Sequence, residues 1–180
     1  THYLAQHIEE YIASSPWKEK VQISHEYKLL GTGGTMLSAE DFIGKKTVMV
    51  VHADNLSRFS LKDFIKSHSD RPKHCAITMM IFRTDKPKNC GILKVDNSGV
   101  AVELYEKVGN PPGNLANGAV YIFEPEVLDF LKSLKKNEID LSTDVLPHFL
   151  GRINTFLNAD YHRDIGTYDS LKIARNDFNT

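Results

Sequence analysis

The chain has 180 residues, 41% of them hydrophobic and 25% charged, with a formal net charge of -1. Such a balance suits one soluble domain with a proper core, and it supplies no global field that would draw nucleic acid or a membrane surface. No apolar run approaches about 18 residues, so no membrane span is expected, and no signal peptide is visible. The eight histidines show no metal-ligand spacing. The two cysteines, Cys75 and Cys90, sit in or beside apolar segments and read as small thiols of a reducing cytoplasm.

In chain order, Leu4, Ile8, Tyr11 and Ile12 recur at helical spacing, with Thr1 as cap and Ser14-Ser15-Pro16 as stop. Residues 21–24 read as a short strand. Leu30-Gly31-Thr32-Gly33-Gly34 is a Gly-rich turn leading into a helix through Ala39. Residues 47–51 form an unbroken apolar run ending in Ala53-Asp54-Asn55. That pattern predicts a central strand buried on both faces of a parallel sheet, with Asp54 at the carboxyl edge where ligands gather.

Ser60 should cap a helix carrying Leu61, Phe64 and Ile65. A second apolar strand is expected over 75–82. Residues 91–95 and 100–107 flank Asp96-Asn97-Ser98-Gly99, the chemistry of a hairpin turn. A strand over 119–123, a helix opened by Pro125, a helix capped by Ser142 and a strand over 153–157 follow. Asp164-Ile165-Gly166-Thr167 precedes a last helix. No repeat and no domain boundary is seen.

Three constellations could carry chemistry. The Gly-rich turn lets a backbone approach a flat ligand and should leave helix N–H groups free. It is neither a Walker loop nor a dinucleotide fingerprint, and a purely structural turn fits as well. Asp54 and Asp164 are strand-end carboxylates that could share a magnesium ion, with a turn Asp-Asn and a helix-cap Asp as the competing readings. Glu106-Lys107 could reach one ligand if the strand bends there. The competing reading is a solvated ion pair.

The order of these pieces, from Leu30-Gly31-Thr32-Gly33-Gly34 through Ala53-Asp54-Asn55, Tyr105-Glu106-Lys107 and residues 114–121 to Asp164-Ile165-Gly166-Thr167, resembles the sugar-1-phosphate nucleotidyltransferase family. The resemblance covers nearly the whole chain and is closest to the mannose- and heptose-type guanylyltransferase branch. It implies a Rossmann-like three-layer α/β/α domain with a mixed, mostly parallel sheet and a β-hairpin insertion. It implies transfer of a nucleotidyl group from a nucleoside triphosphate, GTP favoured, to a sugar 1-phosphate.

By the same resemblance, Asp54 and Asp164 match magnesium ligands. Leu30, Gly31 and Gly33 match the loop that reads the base. Glu106 matches the residue that holds sugar hydroxyls, and Lys107 the one that meets the sugar phosphate. Gly91 and Asn117 match further sugar-pocket positions. Asp54, Asp164 and Lys107 form the expected catalytic set.

Departures from the family pattern are Ala53 before the first Asp, Val108 after the Lys, and Asn117-Gly118-Ala119 in place of Asn-Ala-Gly. The family's opening strand, GxGTRLxPxT loop and downstream Pro-Lys are not in these residues. The expectation is therefore a single domain over 1–180 that is incomplete at its front, with an exposed sheet edge and an incomplete phosphate site. The alternative is a nucleotide- or sugar-phosphate-binding or assembly module without turnover. Nucleic acid and membrane are not expected partners, and self-association stays open. An Asp-nucleophile phosphatase would want a second carboxylate at position 56, where Leu56 stands.

Overall fold

The computed structural model describes residues 1–178. Along the chain the helices are α1 (Ala5–Ser14), α2 (Gly31–Ser38) and α3 (Glu40–Ile43). Strands β1 (Val48–Val51) and β2 (Asn55–Arg58) precede α4 (Leu61–Ser69). Next come β3 (Ile77–Arg83), β4 (Gly91–Val95), β5 (Val100–Glu106) and β6 (Leu115–Phe123). The chain closes with α5 (Pro125–Ser133), β7 (Ile153–Leu157), β8 (Tyr161–Asp164) and α6 (Tyr168–Phe178).

Six strands form one mixed sheet in the order β1-β6-β3-β7-β5-β4, and an Ile92–Ala116 pairing curls β4 back onto β6. β1, β3, β4 and β7 run in one direction, which gives the sheet a majority sense as expected. β6 and β5 run against them, so β3–β7 is the parallel ladder and the other described ladders are antiparallel. Helices lie on both faces. On one, α2 and α5 cover Ile77, Met79 and Ile81 of β3, with Leu131, Ile139 and Phe149. On the other, Phe64 of α4 packs on Met80, Val120 and Ile122.

Local signals hold where they are local. The Ser60 hydroxyl accepts from the Asp63 N–H at 3.2 Å and starts α4. Pro125 opens α5, which buries Val127, Leu128 and Leu131. Asp96 accepts from the N–H groups of Ser98 and Val100, both at 2.9 Å, and closes the hairpin.

Four expectations are corrected. β1 is not central and not buried on both faces. Among the described strands it pairs with β6 alone, and Met49 and Val51 stay 47% and 48% exposed. An apolar run marks residues that suit burial, but the neighbouring strands decide whether burial happens. Residues 21–24 form no strand, because no ladder is there to satisfy their backbone. Thr1 does not cap α1, which is entered through Leu4 at φ 55° without a side-chain cap. Asp140, not Ser142, caps the next segment by accepting from Thr143 N–H at 3.0 Å. That segment is a wide turn over Leu141–Val145 followed by a 3₁₀ turn over Leu146–Phe149. Pro147 lacks the N–H that a regular helix needs there.

Candidate active site

β2 and β8 form a separate two-stranded antiparallel ribbon in which Asn55 faces Asp164. The pairing brings the turn that follows β1 against the turn that precedes α6. The Ile165 N–H donates to the Asp54 carbonyl at 2.7 Å, and the Gly166 N–H to the Asp164 carboxylate at 2.7 Å. A Cβ built on Gly166 would lie 3.0 Å from Asp164 Oδ1 and 3.4 Å from Asp54 Oδ2. Two carboxylate oxygens from residues 110 positions apart in sequence therefore flank one point, and both acids are exposed.

Two carboxylates brought to one point could share a cation. Among the described residues no three His, Cys, Asp or Glu side chains converge. Two hard carboxylates with open surroundings fit a divalent ion that keeps waters and takes its remaining ligands from phosphate.

The ribbon is seated by His162. Its Nδ1 lies 2.7 Å from Ser57 Oγ, and its ring centroid lies 4.1 Å from that of Phe82 on β3. Burial pushes the His162 pKa down to about 4, against the pull of Asp164, so the ring is neutral at neutral pH. His162 and Asp164 line a cavity of about 390 Å³ with Thr84, Lys86 and Cys90. The Cys90 carbonyl accepts from the Lys107 N–H at 3.4 Å, which links this cavity to the end of the hairpin.

At that end Gly91 faces Glu106 across the β4–β5 ladder. The Glu106 carboxylate lies over Gly91, where a Cβ would sit 2.6 Å from Oε2. Lys107 takes φ 47°. The strand therefore bends after Glu106, as a shared ligand requires, and Lys107 is exposed.

Asn117 sits at an irregularity in the β3–β6 pairing, and Ala119 takes φ 50°. The Asn117 side chain caps that bend, with Oδ1 accepting from Ala119 N–H at 2.9 Å. Its Nδ2 donates to the Tyr121 hydroxyl at 2.8 Å. Tyr121 is buried, which pushes its pKa up, and the charges of Glu106 and Asp140 push the same way. Asn117 and Tyr121 thus form a hydrogen-bonded pair on which the charge of Glu106 bears.

The Gly-rich turn behaves differently from its expectation. The Gly33 and Gly34 N–H groups are not free: they donate to the Ile139 carbonyl at 2.8 and 3.2 Å. The Ile139 N–H in turn donates to the Leu30 carbonyl at 2.9 Å. Gly31 has φ 73°, and a Cβ there would meet the Ile139 carbonyl oxygen at 2.5 Å. Gly33 is buried against Ile139 and Leu131. Buried Glu26 anchors the other side of the turn, accepting from the Thr35 hydroxyl and from Leu30 N–H. The turn is docked on residues 137–141, with the edge at Leu30 and Gly31 only half-buried.

Sequence reasoning missed His162 and Tyr121. Tyr121 had a signal, since it follows Asn117 by four residues on a strand and so shares its face. His162 had none beyond standing two residues before Asp164.

The sequence model of the nucleotidyl transferase family matches residues 1–180, and the chain belongs to that family. It is 29% identical over 142 residues to a mannose-1-phosphate guanylyltransferase of Mycobacterium tuberculosis, covering 77% of this chain and 38% of that protein. It is 24% identical over 169 residues to the bifunctional protein GlmU of Methanocaldococcus jannaschii, covering 91% of this chain and 38% of that one. The chain thus spans well under half the length of these curated relatives. HddC from Yersinia pseudotuberculosis complexed with GMP-PN superposes with a TM-score of 0.80 at 25% identity, covering 98% of this chain and 76% of HddC. No helix among the described residues is long and apolar enough to cross a membrane.

Proposed function

We propose that these residues form the metal- and sugar-phosphate-binding part of a sugar-1-phosphate nucleotidyltransferase. Its reaction moves a nucleotidyl group, guanylyl favoured, from a nucleoside triphosphate to a sugar 1-phosphate and releases pyrophosphate. The observation that carries this reading is the convergence of Asp54 and Asp164 on one point at the end of the ribbon. Family membership and the guanylyltransferase among the relatives support it.

The attacking sugar-phosphate oxygen is already an anion, so no general base is needed. One P–O bond forms at the α-phosphorus as the bond to the pyrophosphate breaks. The difficulty is holding two polyanions in line, which positioning and charge neutralisation address. Asp54 and Asp164 would hold magnesium, which when bound offsets phosphate charge. Lys107, displayed at the bend, meets the sugar phosphate. Glu106 accepts from sugar hydroxyls beside Gly91, and Asn117 supports the same pocket. With the Gly33 amide occupied, a base read by the turn meets its Leu30–Gly31 edge.

The test is pyrophosphate release from the native polypeptide with magnesium, a panel of triphosphates and a panel of sugar 1-phosphates. Turnover with GTP preferred over dTTP and UTP supports the reading. Turnover with GTP disfavoured removes the base assignment. A second reading, a binding module without turnover, draws on the uncovered edge of β1. It predicts ligand binding with no pyrophosphate.

A further inference from the structure

Among the described residues one buried side-chain polar atom has no hydrogen-bond partner, and it is His52 Nε2. An unpaired buried polar group is costly, and native chains keep such groups where they serve a purpose. His52 stands directly after β1 and two residues before Asp54. Its backbone N–H donates to the Ala119 carbonyl at 3.2 Å, which ties it to the bend that carries Asn117. Its ring lies 6.3 Å, centroid to centroid and tilted by 65°, from Tyr121. The ring that carries the orphan nitrogen thus stands beside Tyr121, on the segment that leads into Asp54.

We propose that His52 is a substrate-recognition residue, its Nε2 pairing with a hydroxyl of the sugar phosphate bound against Tyr121. The inference rests on the function proposed above and deepens it. A hydroxyl suits the atom because it both donates and accepts, and so satisfies either imidazole tautomer. A phosphate oxygen suits it less, because the charges bearing on Tyr121 are the carboxylates of Glu106 and Asp140. Because Nε2 is buried, the ring must turn toward the entering ligand, and in doing so it gains the hydrogen bond it lacks.

The experiment uses the native polypeptide and the aldohexose 1-phosphate that the wild type binds best, together with its single-deoxy analogues. Two variants are compared, His52→Leu and His52→Asn. His52→Leu removes the orphan atom, so the unliganded Tm should hold or rise. Its affinity for the parent sugar phosphate should fall about tenfold, and it should no longer discriminate against one deoxy analogue. Nucleotide affinity should stay within twofold, and His52→Asn should recover part of the loss. Unchanged sugar-phosphate affinity in His52→Leu overturns the proposal. So does a fall in Tm with sugar-phosphate and nucleotide binding weakened alike, since that marks a structural role. Failure of the underlying function shows instead in the wild type, as no binding of any sugar 1-phosphate.

Discussion

Replacing Gly31 with Ala puts a methyl group where the fold has no room for it. The residue holds φ 73°, and the new Cβ would lie 2.5 Å from the Ile139 carbonyl oxygen and 2.9 Å from its carbon. Those are backbone atoms, held by the Gly33 and Gly34 amides on one side and Leu30 on the other, so they cannot swing aside. Left-handed backbone costs an alanine about 1–2 kcal/mol, and overpacking adds about 1–3 kcal/mol. A loss of about 3 kcal/mol lowers Tm by about 6–12 °C in a chain of this size. Gly99→Ala is the control, since Gly99 has φ 82° but nothing within 4 Å of its Cβ position. It carries the backbone cost alone. Thermal unfolding followed by circular dichroism compares the two. If Gly31→Ala unfolds no earlier than Gly99→Ala, the turn is not docked on residues 137–141 and the account of it fails.

A further outcome follows from the same kind of close approach. In Gly91→Ala the obstructing atom is the tip of a flexible side chain, Glu106 Oε2. Tm should move by less than about 3 °C, while sugar-phosphate affinity falls about tenfold or more as the carboxylate is displaced, the scale of one charged hydrogen bond. Calorimetric titration against the wild type reads it.

Acid should destabilise the fold before carboxylates titrate. Burial lowers the pKa of His68, whose ring is held between Thr78 and Glu124, and likewise that of His162. A lowered pKa means that the folded state resists protonation. Stability is complete above the ordinary histidine pKa of about 6.5 and declines as pH falls below it, the His162 share continuing to about 4. Urea unfolding in metal-free buffer across that range should show the decline, and His68→Gln should flatten it. A wild-type profile flat from pH 7 to 5 contradicts the burial of both rings.

What the sequence disclosed was local. Ser60 before an amphipathic run, Pro125 at a helix start and Asp96-Asn97-Ser98-Gly99 between two strands each carry their cause within a few residues. The pairing of β2 with β8 does not, because it joins segments a hundred residues apart that are short and polar. The two acids could be named from the order of motifs, yet the ribbon that unites them could not. The edge position of β1 left no signal in its own residues, which argued for burial on both faces. The cap expected at Ser142 falls instead on Asp140, because its carboxylate is the one that reaches the Thr143 N–H. The orphan at His52 depends on what surrounds it, and no pattern in the chain announces that.

The central claim is that Asp54 and Asp164 hold one divalent ion between them. Manganese binding, read by the loss of the free-ion paramagnetic resonance signal, tests it on wild type, Asp54→Asn, Asp164→Asn and the double variant. The account predicts one ion per chain in the wild type, at least tenfold weaker binding in either single variant, and no further loss in the double. Wild-type affinity retained by either single variant, or losses that add in the double, would mean that the two acids do not share a site.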